Sequence, residues 1–171
     1  AKLKKSVVRL KGGDPIIFGR GGEEAEVLKS FNVKYEIIPG ITSGIGSATY
    51  AGIPLTHRQF ASSVVFVTGH EDPEKKTEIV KWKKLAKSVD TIVIMMGLSR
   101  IGMISKKLID GGMDKDMPVA VIQNGTTSQQ KMIRGTISNI ANKIKRNKIK
   151  PPTNIIIGRV VDLSDIIGWR K

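Results

Sequence analysis

Cysteine is absent from the sequence, histidine occurs only at His57 and His70, and no apolar run approaches the length of a membrane-spanning helix. Without cysteine the chain forms neither disulfides nor thiolate metal sites, which suits a reducing cytoplasm. The few histidines cannot supply a histidine-rich metal centre. No signal-peptide pattern is evident. The sequence therefore predicts a cytoplasmic protein that works away from membranes and without a metal ion.

Acidic residues are also scarce, because 15 Asp and Glu stand against 29 Lys and Arg, which gives a net charge of +14. Such an excess favours polyanionic partners, namely nucleic acid, an anionic membrane, or a small molecule with many carboxylates or phosphates. A solvated, lysine-rich surface explains the same composition. Aromatic residues make up only 5% and no nucleic-acid recognition motif is present, so nucleic acid is the less favoured partner.

The 171 residues are enough for one domain or two small ones. Short runs rich in Val and Ile alternate with amphipathic stretches, which is typical of an α/β fold whose strands are buried on both faces. The predicted strands are residues 6–10, 34–38, 63–68, 91–95, 119–123 and 154–158. The predicted helices are residues 23–31, 43–51, 76–88, 101–110 and 136–147.

Residues 53–59 follow neither the helical nor the strand period, and we interpret them as a linker between two domains. The predicted domains are residues 1–57 and residues 58–171. The first of them would contain only two of the predicted strands, which are too few for a stable sheet. The chain also enters an apolar segment soon after Ala1 and has no initiator Met. We therefore expect the first α/β domain to be incomplete here, with an N-terminal segment preceding Ala1.

The most informative stretch is a glycine-rich loop, in which five of the eleven residues from Gly12 to Gly22 are glycine. It follows a predicted strand and leads into a predicted helix, the position at which open α/β sheets bind ligands. Glycine lets the backbone approach a ligand and adopt positive φ, and the Asp14–Pro15 step fixes a turn. The spacing matches neither a Gly-Lys-Ser/Thr phosphate loop nor a GxGxxG dinucleotide motif. A turn needed only for chain reversal remains the alternative to a ligand-binding loop.

Eight segments resemble, in order, signature motifs of the uroporphyrinogen-III C-methyltransferases, a family within the tetrapyrrole methylase superfamily. The longest and most specific match contains the glycine loop. The segments are residues 7–24, 39–43, 50–58, 67–70, 96–98, 118–120, 124–126 and 158–161. Because the matches keep the family order and cover essentially the whole chain, we interpret the chain as similar to this family.

This resemblance implies a tetrapyrrole methylase fold, in which a cleft between two α/β domains binds S-adenosylmethionine (SAM). It also implies a homodimer that needs no metal. The implied reaction transfers methyl groups from SAM to ring carbons C2 and C7 of uroporphyrinogen III. The products are precorrin-2, a precursor of sirohaem and cobalamin, and S-adenosylhomocysteine.

The resemblance also implies roles for particular residues. The family's cofactor-binding positions correspond to Gly12, Gly13, Asp14, Ile17, Thr42, Ser43, Met96, Gly125 and Thr153. Thr153 stands where the family usually has Ala, so a contact there would use its backbone. The positions that face the tetrapyrrole correspond to Arg20, Glu23, Arg58 and Met96.

Arginine suits such a position, because uroporphyrinogen is an octacarboxylate and guanidinium groups form charge-assisted pairs with carboxylates. Arg20 is the catalytic candidate, and we expect it to orient the substrate rather than accept a proton, since a guanidinium stays protonated. Each of these residues also has a purely structural interpretation. Arg20 then covers the loop, Glu23 only complements a helix N-terminus, Arg58 fixes the linker, and Met96, which follows an apolar strand, is part of the core. His57 and His70 are expected to be structural hydrogen-bonding residues.

The main alternative is another methyltransferase of the same superfamily, acting on a later precorrin, a diphthine precursor or ribosomal RNA. Residues 18–24 together with residues 56–58 favour the uroporphyrinogen enzyme. A basic nucleic-acid-binding module is the non-enzymatic alternative, and an inactive fragment is a third. The family has an earlier glycine loop, and an Asp and a Lys proposed to handle protons, at positions upstream of Gly12 that have no counterpart in this sequence. It therefore does not identify the residue that takes the proton.

Overall fold

The computed structural model describes residues 5–70 and 79–169, which pack as two compact units. The first unit ends at Ser43 and contains helix α1, Gly21–Ser30. The second unit begins at Gly44 and contains almost all of α2, Ser43–Tyr50. Its other elements, in chain order, are β1 Val64–Thr68, α3 Trp82–Ser88, β2 Thr91–Met95, α4 Ile101–Asp110, β3 Pro118–Gln123, β4 Lys131–Thr136, α5 Ile140–Arg146, β5 Thr153–Ile157 and α6 Ser164–Ile167. Short 3₁₀ turns precede α4 and α6, at Leu98–Arg100 and Arg159–Leu163.

The five strands of the second unit form one mixed sheet in the order β1-β2-β5-β3-β4. Strands β1 and β2 are parallel, whereas β5 is antiparallel to both of its neighbours and β4 is antiparallel to β3. Strands β1, β2 and β3 therefore end at the same edge of the sheet, which we call the carboxyl edge. Strands β4 and β5 begin at that edge.

Side chains on both faces of the sheet are buried, as the Val- and Ile-rich runs predict. Along β5 they alternate, because Ile155 and Ile157 pack with helices α3, α4 and α5, whereas Ile156 packs on the opposite face. That opposite face is covered by Ala48 of α2 and by Val160 and Val161 of the 3₁₀ turn after β5. The second unit thus has helices on both sides of its sheet, which confirms the predicted α/β class.

Two predicted strands, residues 6–10 and 34–38, are wrong, since neither is a strand among the described residues. A strand needs a neighbouring strand to bond its backbone N–H and C=O groups. Neither segment has such a partner within the described residues. Val8 is 88% exposed and Ile38 is 67% exposed, so their apolar side chains lack the burial that the pattern predicts. The glycine loop accordingly does not follow a strand here.

The predicted helices at residues 76–88 and 136–147 begin too early. Residues 76–78 lie outside the described residues, and α3 begins only at Trp82. Helix α5 begins at Ile140, because Thr136 is the last residue of β4. Strand β4 was not predicted, since this half-exposed edge strand contains Lys131, Arg134 and Gly135 in place of a Val/Ile run. The predicted helices 43–51 and 101–110 end close to where they were expected, at Tyr50 and Asp110, and Gly52, two residues after the first of them, has a φ of 67°.

Residues 53–59, which we interpreted as a linker, lie partly in a core. Ile53 is only 2% exposed and packs with Ala51 and Ala61 against the face of the sheet that carries Ile122 and Ile156. This packing ties the segment to the second unit. The domain boundary after residue 57 stays a prediction.

No described helix combines the length and the hydropathy that a bilayer crossing requires.

Candidate active site

The glycine loop is organised by the carboxylate of Asp14. Its Oδ1 accepts hydrogen bonds from the backbone N–H groups of Ile16 at 2.8 Å and Ile17 at 3.0 Å. Its Oδ2 accepts a hydrogen bond from the N–H of Gly40 at 3.1 Å, and Gly40 lies in the second segment that resembles the family, residues 39–43. The N–H of Gly40, followed by those of Ile16 and Ile17, lowers the pKa of Asp14. One carboxylate thus closes the turn after Pro15 and ties it to the loop that leads into α2.

Two backbones meet closely at this carboxylate. A Cβ added to Gly40 would lie 2.7 Å from the carbonyl oxygen of Gly13, so only glycine fits there. Gly13 has a φ of 139°, and a Cβ on it would lie 3.3 Å from the oxygen of Ile41 and 3.8 Å from the Cα of Thr42. A Cβ on Gly12, by contrast, would meet nothing within 4 Å. The loop therefore presents bare backbone to open space at Gly12 while its other side is tightly packed.

The pH dependence of this arrangement follows from the lowered pKa of Asp14. A carboxylate whose folded pKa lies below its ordinary value of about 3.9 stabilises the fold fully above that value. The stabilisation is lost as the pH falls through the lower, folded pKa. We expect hydrogen-exchange protection of the Ile16, Ile17 and Gly40 amides to fall over this acidic range. NMR-detected exchange checks this, with Asp14→Asn as the control, because an amide side chain does not titrate. An equal fall in that variant would contradict the assignment.

Arg20 and Glu23 form an exposed ion pair at the end of the loop. Arg20 immediately precedes α1 in a left-handed conformation with a φ of 60°, and Glu23 lies in the first turn of the helix. Nε and an Nη of Arg20 donate to the same oxygen of Glu23, at 3.0 and 2.6 Å. This hydrogen bond raises the pKa of Arg20 and lowers the pKa of Glu23. Both groups are therefore charged at neutral pH, and both side chains are accessible to a ligand.

In the second unit, the predicted cofactor-binding residues gather at the carboxyl edge. Met96 directly follows β2, and Gly125 lies shortly after β3. Thr153 is the first residue of β5 and pairs with Gln123, the last residue of β3. Asn154 pairs with both Met95 and Ile122. Three residues that are far apart in the sequence therefore lie at neighbouring strand ends.

The turns at the carboxyl edge are fixed by close backbone contacts. A Cβ on Gly69, just after β1, would lie 2.2 Å from the Cα of Gly97, just after β2. The N–H of Gly69 also donates to the oxygen of Met95 at 2.7 Å. Met96, between Met95 and Gly97, has a φ of 54° and is 54% exposed. Its side chain is thus held out at the edge rather than packed in the core.

Gly125 is fixed by a similar contact with α2, since a Cβ there would lie 2.4 Å from the Cβ of Ser47. The residues on either side of it, Asn124 and Thr126, have φ values of 49° and 72°. The turn after β3 is therefore left-handed on both sides of the glycine and pressed against the helix. The sequence analysis singled out residues 124–126 only as a segment that resembles the family, and it did not indicate the helix as a partner of this turn.

Arg58 lies in an exposed turn that His57 closes. The N–H of His57 donates to the oxygen of Ala61 at 2.8 Å, and the His57 carbonyl accepts the N–H of Ala61 at 2.9 Å. Nδ1 of His57 accepts the N–H of Gln59 at 3.2 Å, and its ring stacks on Phe60. These bonds agree with the structural role expected of His57. They leave Arg58 at the tip of a well-defined turn.

His70 directly follows Gly69 at the carboxyl edge. Its backbone N–H donates to the hydroxyl oxygen of Thr68 at 3.1 Å, and its carbonyl oxygen accepts a hydrogen bond from the same hydroxyl at 3.0 Å.

Within residues 5–70 and 79–169, no group of three His, Asp or Glu side chains is arranged to hold a metal ion.

The comparisons with known proteins agree on one family. The family model for tetrapyrrole (corrin/porphyrin) methylases matches residues 1–141. An S-adenosyl-L-methionine-dependent uroporphyrinogen III methyltransferase of Methanosarcina barkeri is 51% identical over 171 residues, which are 100% of this chain and 67% of that protein. A uroporphyrinogen-III C-methyltransferase of Bacillus subtilis is 48% identical over 169 residues, which are 99% of this chain and 65% of that protein.

Solved structures include a uroporphyrin-III C-methyltransferase from Thermus thermophilus in complex with S-adenosylhomocysteine. It is 33% identical and superposes with a TM-score of 0.80 over 95% of this chain and 69% of that chain. This chain therefore spans about two thirds of the length of each of these relatives.

Proposed function

This chain belongs to the tetrapyrrole methylase family, and from that premise we propose that the protein transfers methyl groups from SAM to carbons C2 and C7 of uroporphyrinogen III. Relatives that are about half identical are named as uroporphyrinogen III methyltransferases. The product would be precorrin-2, a precursor of sirohaem and cobalamin. The observation that carries the proposal is the glycine loop, which keeps its backbone bare at Gly12 and is held rigid by Asp14.

The loop fits a nucleoside cofactor for a physical reason. A nucleoside binds to backbone N–H and C=O groups, which side chains would otherwise cover. Open space lies at Gly12, and the Asp14 carboxylate is already occupied by three N–H groups. We therefore assign SAM binding to the backbone of Gly12, Gly13 and Asp14. The Asp14 side chain serves to hold the loop.

Further cofactor contacts are assigned to residues around these loops. In the first unit they are Ile17, which is 42% exposed, and Thr42 and Ser43 at the start of α2. At the carboxyl edge they are Met96, Gly125 and the backbone of Thr153. A backbone contact at Thr153 is independent of its side chain, which is compatible with threonine in place of the family's usual alanine.

When bound, SAM would supply an electrophilic methyl group on its sulfonium sulfur for transfer to a ring carbon of the tetrapyrrole, with S-adenosylhomocysteine leaving as a neutral thioether. The residues of this chain then act mainly by positioning. Rigid loops hold the reacting atoms close together, and such pre-orientation lowers the barrier without an acid or base. Met96 and Glu23 are assigned to the substrate side together with Arg20 and Arg58.

Arg20 is assigned to a substrate carboxylate rather than to proton transfer. Its raised pKa keeps it protonated, so it cannot accept the proton that the ring loses. In the structure its N–H groups bond a carboxylate oxygen of Glu23, and a bond of the same kind to a substrate carboxylate is what we propose. When the substrate binds, Arg20 would thus exchange the carboxylate of Glu23 for a carboxylate of the substrate.

The test is methyl transfer from labelled SAM to uroporphyrinogen III by the purified protein, with the product mass reporting two added methyl groups. We expect Arg20→Ala to lower kcat/KM by about 10- to 150-fold, since a hydrogen bond to a charged group contributes about 1.5–3 kcal/mol. Lys29→Ala, an equal loss of charge in the last turn of α1, should change kcat/KM little. Unchanged turnover in Arg20→Ala would remove Arg20 from the site. Methylation of another tetrapyrrole only would replace the proposed substrate.

We also propose that the protein acts as a cytoplasmic homodimer, as the family resemblance implies.

A further inference from the structure

The charge of the second unit is strongly polarised along the sequence. No Asp or Glu occurs from Met117 to Val161. The same stretch contains the cations Lys131, Arg134, Lys143, Lys145, Arg146, Lys148, Lys150 and Arg159. Arg134 is paired with Asp162 and Asp165. The ammonium group of Lys143 donates to the carbonyl of Arg134.

The fold carries three of these lysines to the carboxyl edge. Lys131 is the first residue of β4 and pairs with Gln123, the last residue of β3. Lys148 and Lys150 lie between α5 and β5, and the N–H of Lys150 donates to Oε1 of Gln123 at 3.2 Å. All three side chains are exposed. We call Lys131, Lys148 and Lys150 the edge lysines.

The described acidic residues of the second unit lie at the other end of the sheet. They are Asp90, Asp110, Asp114, Asp116, Asp162 and Asp165, which precede β2 or β3, end α4, or follow β5. Among the described residues, the acidic side chains of the second unit are therefore confined to the opposite edge, where lysines and arginines accompany them, whereas the carboxyl edge, where Met96, Gly125 and Thr153 lie, has lysines without acids. A net charge spread evenly over the surface would not give this asymmetry.

We propose that the edge lysines attract the octacarboxylate substrate to the carboxyl edge and contact its outer carboxylates as it associates. This inference rests on the proposed function and adds a role to residues outside the assigned site. A single exposed lysine–carboxylate pair contributes little. Several positive charges along the same edge of the sheet, however, together create a potential that speeds association with a polyanion. Lysine suits this role because its mobile point charge needs no fixed geometry.

The test compares two triple variants that remove the same charge. Lys131→Gln, Lys148→Gln and Lys150→Gln together neutralise the edge lysines. The matched control is Lys83→Gln, Lys87→Gln and Lys115→Gln, which changes exposed lysines toward the opposite edge. Lys87 lies against Gly112 there, and Lys115 lies between Asp114 and Asp116.

At low ionic strength we expect the edge triple to lower kcat/KM for uroporphyrinogen III by about tenfold, because steering changes association rates by about 10–10³. The kcat should stay unchanged, and the control triple should lose far less. At high salt the two variants should converge with the unmodified protein, since screening removes the attraction. Equal losses in both triples, or none in either, would overturn the inference.

A second measurement separates this inference from the proposed reaction. Stopped-flow fluorescence of uroporphyrin III, the stable oxidised form, reports association without turnover. A slower association of the edge triple than of the control triple supports the inference even where no methyl transfer occurs. Methyl transfer by the unmodified protein with equal association in both triples would retain the proposed function and overturn the inference.

Discussion

Gly40→Ala is expected to remove most of the affinity for SAM. The new Cβ would lie 2.7 Å from the oxygen of Gly13 and 2.9 Å from its carbonyl carbon. Both are backbone atoms, so no side-chain rotation relieves the clash, and the two loops must move apart. That movement would also break the hydrogen bond from Gly40 to Asp14. Overpacking costs about 1–3 kcal/mol, which corresponds to about a 5- to 150-fold weaker Kd if binding restores the native loops.

Titration calorimetry with SAM or S-adenosylhomocysteine measures this loss. Gly22→Ala is the matched control, because a Cβ there meets nothing within 4 Å and Gly22 lies in α1, where alanine is favoured. We expect the control variant to bind as the unmodified protein does. An undiminished affinity in Gly40→Ala would show that the contact between the loops is not needed for the cofactor site.

The central strands were predictable because their amino-acid composition reflects their burial in the sheet. Strands β2, β3 and β5 are buried on both faces, and a short run of Val and Ile is the pattern that such burial selects. Strand β4 is half exposed at the edge of the sheet, where packing imposes no such pattern. The segments at 6–10 and 34–38 have the pattern but no paired neighbour among the described residues. Local sequence thus predicts which segments are suited to be strands but not which ones find partners.

The candidate site shows the same division between local and distant information. The glycine loop and its Asp14–Pro15 turn were predictable, since a local run of residue types determines them. The bond from Gly40 to Asp14 was not, because it joins residues 26 positions apart. The gathering of Met96, Gly125 and Thr153 depends on strand order, which spacing alone does not give. Only the family resemblance grouped them, and the sheet topology supplies the physical reason.

The second large effect is expected for Gly125→Ala. The new Cβ would lie 2.4 Å from the Cβ of Ser47 and 3.1 Å from its Cα, in a region where Ser47 is only 1% exposed. The neighbouring residues Asn124 and Thr126 are in the left-handed region, so the turn has little freedom to shift. We expect the second unit to lose about 1–3 kcal/mol of unfolding free energy. Methyl transfer should fall with it, since Gly125 is assigned to the cofactor site.

A double-mutant cycle distinguishes this clash from other effects of the substitution. Ser47→Gly removes the nearest atom that the new Cβ would meet, at 2.4 Å, and leaves the Cα at 3.1 Å, although it also costs helix propensity in α2. The unfolding free energy that the combined variant Ser47→Gly with Gly125→Ala loses should therefore be smaller than the sum of the losses in the two single variants, by at least about 1 kcal/mol. Denaturant unfolding followed by tryptophan fluorescence measures this, because both tryptophans, Trp82 and Trp169, lie in the second unit.

Gly102→Ala in α4 controls for the general effect of adding a methyl group to a glycine of this unit. Its Cβ would lie 3.9 Å from the Cβ of Ala141, which is an ordinary contact, so stability should stay the same or rise by up to about 1 kcal/mol. Additive losses in the cycle at Ser47 and Gly125 would mean that the turn after β3 yields without cost to α2. In that case the helix would not be what positions the Gly125 backbone. If instead the two substitutions are coupled and Gly125→Ala alone loses SAM affinity, then the cofactor contact depends on the packing of α2 on the sheet.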